Sequence, residues 1–383
     1  MTKRVAIVGV GTTGFRSVTP DVSYRELIFE AARKAYTDAG IEPDEIGGFV
    51  TAAEDFVEGY SIADEYCPDQ IGAVLKPTHT VPGDFLHAFA TAYMMIMTGA
   101  FKTVAVEAHS KASNIKNVGE LMGFALDPIY NRPLRESPHA IAGLEMTRYM
   151  FETCTTSEQC ASIVVKNMGN AFHNPYAAFG ADIEIGDVLN SEPISLPLHR
   201  LDIAQHADGA VVVVLADEET AKSLTAVPIW IEGLGWCTDT PTLEMRDWGE
   251  AAYARLAAEM AYRMAGISNP VAEIDFAEIS DDYSYKELQH MEALKFCLPG
   301  EAGHLVETGV TAITGELPIN VSGGALGVGH LFEASGAQKI LELVEQLRGE
   351  AGTRQIPDVS VGLAQSWRGV PTATGAVAIL SNM

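Results

Sequence analysis

The sequence predicts an α/β protein built from two similar halves, with an inserted segment in the first; three observations carry this reading. Apolar runs of strand length alternate with helical stretches, a pattern that implies parallel sheets covered by helices. One helix stop recurs: Ala39-Gly-Ile-Glu-Pro returns 226 residues later as Ala265-Gly-Ile-Ser-Asn-Pro. A late buried strand recurs in the same order, Asp208-Gly-Ala-Val-Val-Val-Val-Leu215 matching Thr374-Gly-Ala-Val-Ala-Ile-Leu380. The halves are therefore expected at residues 1–222 and 223–383, with the join near Thr220 to Ala226. Residues from about 111 to 201 have no counterpart in the second half, are richer in Asn, Pro, His and Arg, and read as helical or irregular. Insertions of this kind supply ligand contacts on a rigid scaffold.

The elements follow in order. Val5-Ala-Ile-Val-Gly9 reads as a short buried strand. Gly9-Val-Gly-Thr-Thr-Gly14 after it spells the dinucleotide fingerprint, which requires a helix to start at that turn and hold a pyrophosphate at its N-terminus. Pro20 and a capping box at Ser23-Tyr-Arg-Glu26 put the helix several residues too late, so no nucleotide redox cofactor is expected. The helix carries an apolar stripe at Leu27, Ile28, Ala31, Ala35 and Ala39, and Gly40 stops it. A strand follows near Gly48 to Thr51, then a helix from Leu86 that ends at Thr98-Gly99, then the strand Thr103-Val-Ala-Val-Glu107. In the second half, Pro228 to Gly233 is a strand and Ala251 to Ala265 a helix closed by Gly266. Glu273 to Ser280 is a strand, Leu288, Met291 and Leu294 mark a helix, and Val359 to Leu363 is a strand before the last one.

Composition narrows the function. The chain has 383 residues, enough for one large or two medium domains, and a formal net charge of −26. That charge argues against nucleic acid and anionic membrane surfaces, which require basic patches. Five cysteines (Cys67, Cys154, Cys160, Cys237, Cys297), without a CxxC pair, fit a reducing cytoplasm and speak against a structural zinc site. No apolar run reaches transmembrane length and no signal peptide is evident. Ten histidines show no metal-binding spacing, so no metal is expected. His79, His87, His109, His206 and His330 each lie beside an expected strand end or helix start.

Three segments are candidates for chemistry. Asn320-Val-Ser-Gly-Gly-Ala-Leu-Gly-Val-Gly-His330 packs four glycines between a carboxamide and an imidazole, then enters an amphipathic helix through Ala334 to Leu347. Gly323, Gly324 and Gly329 would let backbone approach a ligand or another strand closely. Ser280-Asp-Asp-Tyr-Ser-Tyr285 ends a buried strand, where such sheets place ligands, although Asp281, Asp282 or Ser284 would serve equally as an N-cap. Gln365-Ser-Trp-Arg-Gly369 also falls at a strand end.

Taken together and in order, these features resemble the thiolase superfamily over essentially the whole chain, on its sterol-carrier-protein and aldolase branch. Gly329-His330-Leu331 resembles the family's late Gly-His-Pro motif. Asp281-Asp-Tyr-Ser284 resembles its His-Asp-Cys-Phe motif, with Ser280 standing for the histidine and Asp282 for the cysteine. The resemblance implies a duplicated five-layer αβαβα fold with two mixed sheets, and a dimer through an edge strand of the first half, expected at Thr103 to Glu107. It implies a coenzyme A thioester as substrate, with its phosphates near Lys111, Lys116, Arg132 and Arg135. The nucleophilic cysteine of thiolases should cap the helix ending at Thr98-Gly99, but Pro82, Asp84 or Phe85 stands there, and Cys67 lies well upstream. The family's late cysteine has no match in Gln365 to Gly369. The expected chemistry is then a cysteine-free aldol or Claisen reaction. His330 would hold a thioester oxygen, Asn320 would stand nearby, and Tyr283, Tyr285 or Asp282 would move a proton. Relatives of this kind pair with a small OB-fold partner; the alternatives are an acetyl-CoA acetyltransferase and a non-catalytic acyl-CoA-binding subunit.

Overall fold

The computed structural model describes residues 4–54 and 63–383. Nine strands make one mixed sheet: β1 (Val5–Thr12), β2 (Gly48–Ala52), β3 (Thr78–Val81), β4 (Thr103–Lys111), β5 (Asp208–Asp217), β6 (Ile229–Thr238), β7 (Phe276–Glu278), β8 (Val361–Trp367) and β9 (Thr374–Ser381). Their spatial order is β3-β2-β4-β5-β1-β6-β9-β8-β7. The order repeats about the β1–β6 contact. β1 pairs antiparallel with β5 as β6 does with β9, β5 pairs antiparallel with β4 as β9 does with β8, and β4 pairs parallel with β2 as β8 does with β7.

The sheet is mixed, as the resemblance implies and unlike the parallel sheets implied by strands alternating with helices, because β1, β5, β6 and β9 run antiparallel to their neighbours. It is also continuous rather than two sheets, because Ala6 pairs with Trp230 and Ile7 with Ile229. Both strands are buried there, and a buried edge leaves backbone N–H and C=O groups unpaired unless another strand takes them.

Helices cover the strands in layers. The helix α1 (Tyr24–Ala39) opens with the expected capping box, the Glu26 carboxylate accepting from the Ser23 N–H at 2.7 Å, and closes at Gly40 with φ 63°. It packs on β1, β5 and β4. On the opposite face lie α2 (Phe85–Met97) and, from the second half, α8 (Ser335–Arg348), which share one apolar cluster with strands of both halves. The helix α5 (Ala252–Ala265), closed by Gly266, packs on β6 and β9. Between β4 and β5 the insertion folds into α3 (Pro138–Thr153) and α4 (Ser157–Phe172), shorter helical turns, and a small hairpin at Pro193–Ser195 and Leu198–His199. The helices α6 (Ser284–Ala293) and α7 (Gly324–Val328) complete the second half. Among the described residues, no helix is long and apolar enough to cross a membrane.

The Gly9-Val-Gly11 pair serves packing rather than a nucleotide. A Cβ at Gly9 would lie 2.5 Å from the Ala35 carbonyl oxygen, and one at Gly11 would strike the backbone of Ala31 and Ala35. The second half repeats the device: Gly233 and Gly235 of β6 face the backbone of Ala261 and Ala257 on α5. Each glycine pair lets an alanine-faced helix lie directly on its strand.

Two further readings change. Thr103 to Glu107 is not an edge: β4 is buried along its whole length and paired on both sides, and the outermost strand of the first half is β3. The strand expected over Glu273 to Ser280 is only Phe276–Glu278. Pro270 opens a helical turn before it, and beyond it the N–H groups of Ile279 and Ser280 are taken by the side chains of Asn320 and Gln365.

Gly235→Ala would force its methyl group into the α5 backbone, and overpacking of this kind costs about 1–3 kcal/mol. Urea unfolding is expected to show a lowered midpoint with an unchanged slope; a wild-type midpoint would refute the packing role.

Candidate active site

The site forms where the glycine-rich segment of the second half meets the strand leading into β5. The His330 N–H donates to the Gln205 carbonyl at 2.7 Å, and the His330 carbonyl accepts from Ala207 at 3.0 Å. This short parallel bridge sets His206 and His330 ring to ring, with their Nδ1 atoms 3.1 Å apart and Phe332 stacked on His206 at 4.8 Å. On its other edge, His330 Nε2 lies 3.3 Å from Asp282 Oδ1.

Electrostatics fixes the protonation pattern. Burial, with the Lys339 ammonium nearby, lowers His330 to about 4. Burial and the neighbouring His330 lower His206 to about 3. Both rings are therefore neutral at pH 7, and one Nδ1 must donate to the other. With Asp282 ionised, a lone pair on His330 Nε2 would face a carboxylate. The favoured arrangement thus has His206 donating to His330, and His330 carrying its proton on Nε2. Asp282 itself is raised to about 6, by burial first and by Asp84 in addition. Its Oδ2 is buried with no hydrogen-bond partner among the described protein groups.

The adjacent acids part company. Asp281 turns away to cap α7, accepting from Ala325 N at 2.6 Å and Leu326 N at 3.2 Å, with Asn167 Nδ2 at 2.7 Å. Asp282 instead lines a cleft of about 460 Å³ with His139, His206, Tyr283, His330 and Gly369. His330, Met122 and Val370 also line a second cleft of about 540 Å³, which continues to Phe332, Glu54 and Arg368. His330 thus sits where two clefts meet. Glu54 and Arg368 form an ion pair in the second.

Tyr283 joins the site in a different state from the one a base requires. Its hydroxyl is 3.1 Å from His139 Nδ1, and burial pushes the phenol well above its usual range. It is an acid or hydrogen-bond donor here, not a phenolate. Tyr285 is spent elsewhere, donating to Glu145 at 2.8 Å.

The remaining expected site residues are held by the protein itself. Asn320 accepts from Ile279 N at 2.7 Å and donates to Glu287 at 2.7 Å, which ties the strand end to α6 and leaves no amide group for a ligand. At Gly323, Gly324 and Gly329 the backbone approaches protein rather than ligand: added Cβ atoms would meet Ala171, the Asp281 carboxylate and Ala207. Lys111 is buried, donating to Asp208 at 2.8 Å and to the Thr19 carbonyl at 2.6 Å, so it is not a phosphate ligand. Arg132 holds its own loop, donating to the carbonyls of Phe124 at 2.6 Å and Leu126 at 3.2 Å; Lys116 and Arg135 lie exposed. His109 lies under α1 with Glu107 and Cys67.

The N-terminus of α2 carries Asp84, which accepts from Leu86 N at 2.9 Å and Gly336 N at 2.8 Å. None of the five cysteines lines either cleft at His330. Burial raises the thiols of Cys160, Cys297 and Cys237, Cys297 to about 12.

Sequence reasoning missed His139, Met122 and Glu54. His139 sits in the first turn of α3, after the Ser137 N-cap, and nothing in its own neighbourhood marks it. Gly369, within a stretch already singled out, places its backbone beside His330: a Cβ there would lie 3.8 Å from Nε2.

A family profile described as thiolase C-terminal domain-like matches residues 236–382. The chain is 30% identical over 385 residues to an acetyl-CoA acetyltransferase of Methanothermobacter thermautotrophicus, covering 98% of this chain and 99% of the relative. It is 29% identical to the 17-hydroxy-3-oxo-4-pregnene-20-carboxyl-CoA lyase of Mycobacterium tuberculosis, over 97% of this chain and 98% of the relative. Among solved structures, the Ltp2-ChsH2(DUF35) aldolase superposes with a TM-score of 0.84 at 27% identity, covering 99% of this chain and 98% of that one.

Asn320→Ala would leave the buried Ile279 N–H without its acceptor, at about 1–3 kcal/mol for such a group, and would take from Glu287 Oε2 one of its two donors, Asn167 remaining. Guanidinium unfolding should register that loss; an unchanged unfolding curve would return Asn320 to the ligand-facing groups.

Proposed function

The chain belongs to the thiolase superfamily, and on that premise we propose that it forms or cleaves a carbon–carbon bond beside a coenzyme A thioester without a cysteine nucleophile. The observation that carries this reading is the buried pair of a neutral His330 and an Asp282 carboxylate, its pKa raised to about 6, at the junction of two clefts. In the cleavage direction, Asp282 Oδ2 takes the proton of a β-hydroxyl. The carbon–carbon bond breaks, giving an aldehyde or ketone and a thioester enolate. His330 Nε2–H donates to the enolate oxygen, and the enolate carbon then takes a proton back from Asp282. His206 holds the His330 tautomer. Tyr283, hydrogen-bonded to His139, donates toward the oxygen that becomes a carbonyl. Nothing in this sequence of steps requires an acyl-enzyme. Asp84 at the N-terminus of α2, and clefts lined without a cysteine, favour that economy.

The 30% identity to an acetyl-CoA acetyltransferase supports a second reading, acyl transfer through a thiol. A small partner protein is part of the proposal, supported by the likeness to the Ltp2-ChsH2(DUF35) aldolase, whose name joins two components. A homodimer through the first half would use the outer edge of β3.

With β-hydroxyacyl-CoA substrates, His330→Ala is expected to lower kcat about 10²–10³-fold, as loss of an oxyanion donor does. Asp282→Asn should lower it about 10²–10⁴-fold, and Tyr283→Phe should also reduce turnover without loss of folding. Because Asp282 acts as the carboxylate, kcat should rise with pH through about 6 and then level, and the limb should vanish in Asp282→Asn. Wild-type turnover in either His330→Ala or Asp282→Asn would sink the mechanism. Intact-mass measurement after incubation with acetyl-CoA should find unmodified protein; an acetylated cysteine would establish the acyl-transfer reading instead.

A further inference from the structure

On the face of the sheet away from the clefts, three side chains from separate segments converge without a role in the chemistry above. Along β4, Val104, Val106 and Ala108 join the inner apolar cluster, while Ala105 joins the one under α1. By strand alternation, Glu107 and His109 point to the α1 side. There they meet Cys67, and one ligand-capable atom from each of the three lies within 4.8 Å of the others. All three are buried, Cys67 and Glu107 at 0% exposure and His109 at 2%. His109 Nδ1 lies 2.7 Å from Glu107 Oε1, and the imidazole stacks on Tyr24 at 5.6 Å. The second oxygen, Glu107 Oε2, is fully buried with no hydrogen-bond partner among the described residues.

We propose that Cys67, Glu107 and His109 form a binding site for a divalent transition-metal ion of the zinc class. The donor set is a thiol sulfur, an imidazole nitrogen and a carboxylate oxygen, the ligands such ions prefer over magnesium or calcium. Charge supports the assignment. A buried carboxylate with an idle oxygen is costly without a counter-charge. On binding, Cys67 releases its thiol proton to solvent, so thiolate, carboxylate and M²⁺ sum to zero charge in an apolar cluster. Tetrahedral coordination with bonds of about 2.0–2.3 Å holds its donors within a few ångströms of one another, and one donor atom from each of the three side chains lies within 4.8 Å of the others. The ion would tie β4 to the segment at Ala63–Tyr66 and Cys67, and it takes no part in the reaction at His330.

The full-length protein, purified without chelators or metal-affinity resin, should hold about one zinc-class ion per chain by inductively coupled plasma mass spectrometry. After metal removal, titration with Co²⁺ should produce a near-ultraviolet sulfur-to-cobalt charge-transfer band, together with visible d–d absorption. Cys67→Ser should abolish the charge-transfer band. Protein that purifies metal-free and gains no absorption with Co²⁺ overturns the proposal, as does a Co²⁺ spectrum without a sulfur band. Both readouts are taken on wild-type protein, so a variant that fails to fold does not leave the question open. They are independent of turnover, so failure here leaves the proposed reaction standing.

Discussion

The site depends on one short backbone bridge, in which His330 exchanges hydrogen bonds with Gln205 and Ala207. It fastens the end of the glycine-rich segment to the strand that enters β5, so a residue of the second half is positioned by the first. The close approach is possible because Gly329 brings its backbone against Ala207, where a side chain would collide. The bridge also places the two imidazoles edge to edge. In a buried setting that leaves one proton, carried by His206, between the two Nδ1 atoms and directs the single proton of His330 to Nε2.

Everything else in the site orients Asp282 against that nitrogen. The preceding residue, Asp281, is consumed as the cap of α7, and the following one, Tyr283, stands at the N-cap position of α6. Asn320 and Gln365 take up the N–H groups that a longer β7 would have paired. The strand end is thus released from the sheet and still satisfied. Asp282 keeps one oxygen for the cleft, and burial gives it a pKa close to the working range of a base.

The frame of this molecule was legible in its sequence because it rests on local, periodic signals. The capping box at Ser23, the stops at Gly40 and Gly266, and the matched strands at Asp208 and Thr374 each depend on neighbours within a few positions. The role of Gly233 and Gly235 as a second copy of Gly9 and Gly11 was written there too, but spacing alone did not show that both pairs face alanine helices. Continuity of the sheet through β1 and β6 was not legible, since pairing partners more than 200 residues apart leave no local trace. In the site, His330 and Asp282 stood out by setting. His139 did not, because its partner Tyr283 comes from another element. Lys111 looked free for the same reason, until the fold brought Asp208 and Thr19 to it. Histidine spacing likewise could not reveal Cys67 beside Glu107 and His109, which only the fold assembles.

The chemistry turns on His330 being a neutral Nε2–H donor held by His206 and faced by an ionised Asp282. Nitrogen-15 NMR of protein labelled at histidine, recorded from pH 5 to pH 8, measures this directly. The expected spectrum has a His330 with protonated Nε2 and bare Nδ1 at pH 8, a His330 still predominantly neutral at pH 5, and a perturbation centred near 6 as Asp282 gains its proton. A His330 that titrates to imidazolium near 6.5, or that carries its proton on Nδ1 at pH 8, would contradict it.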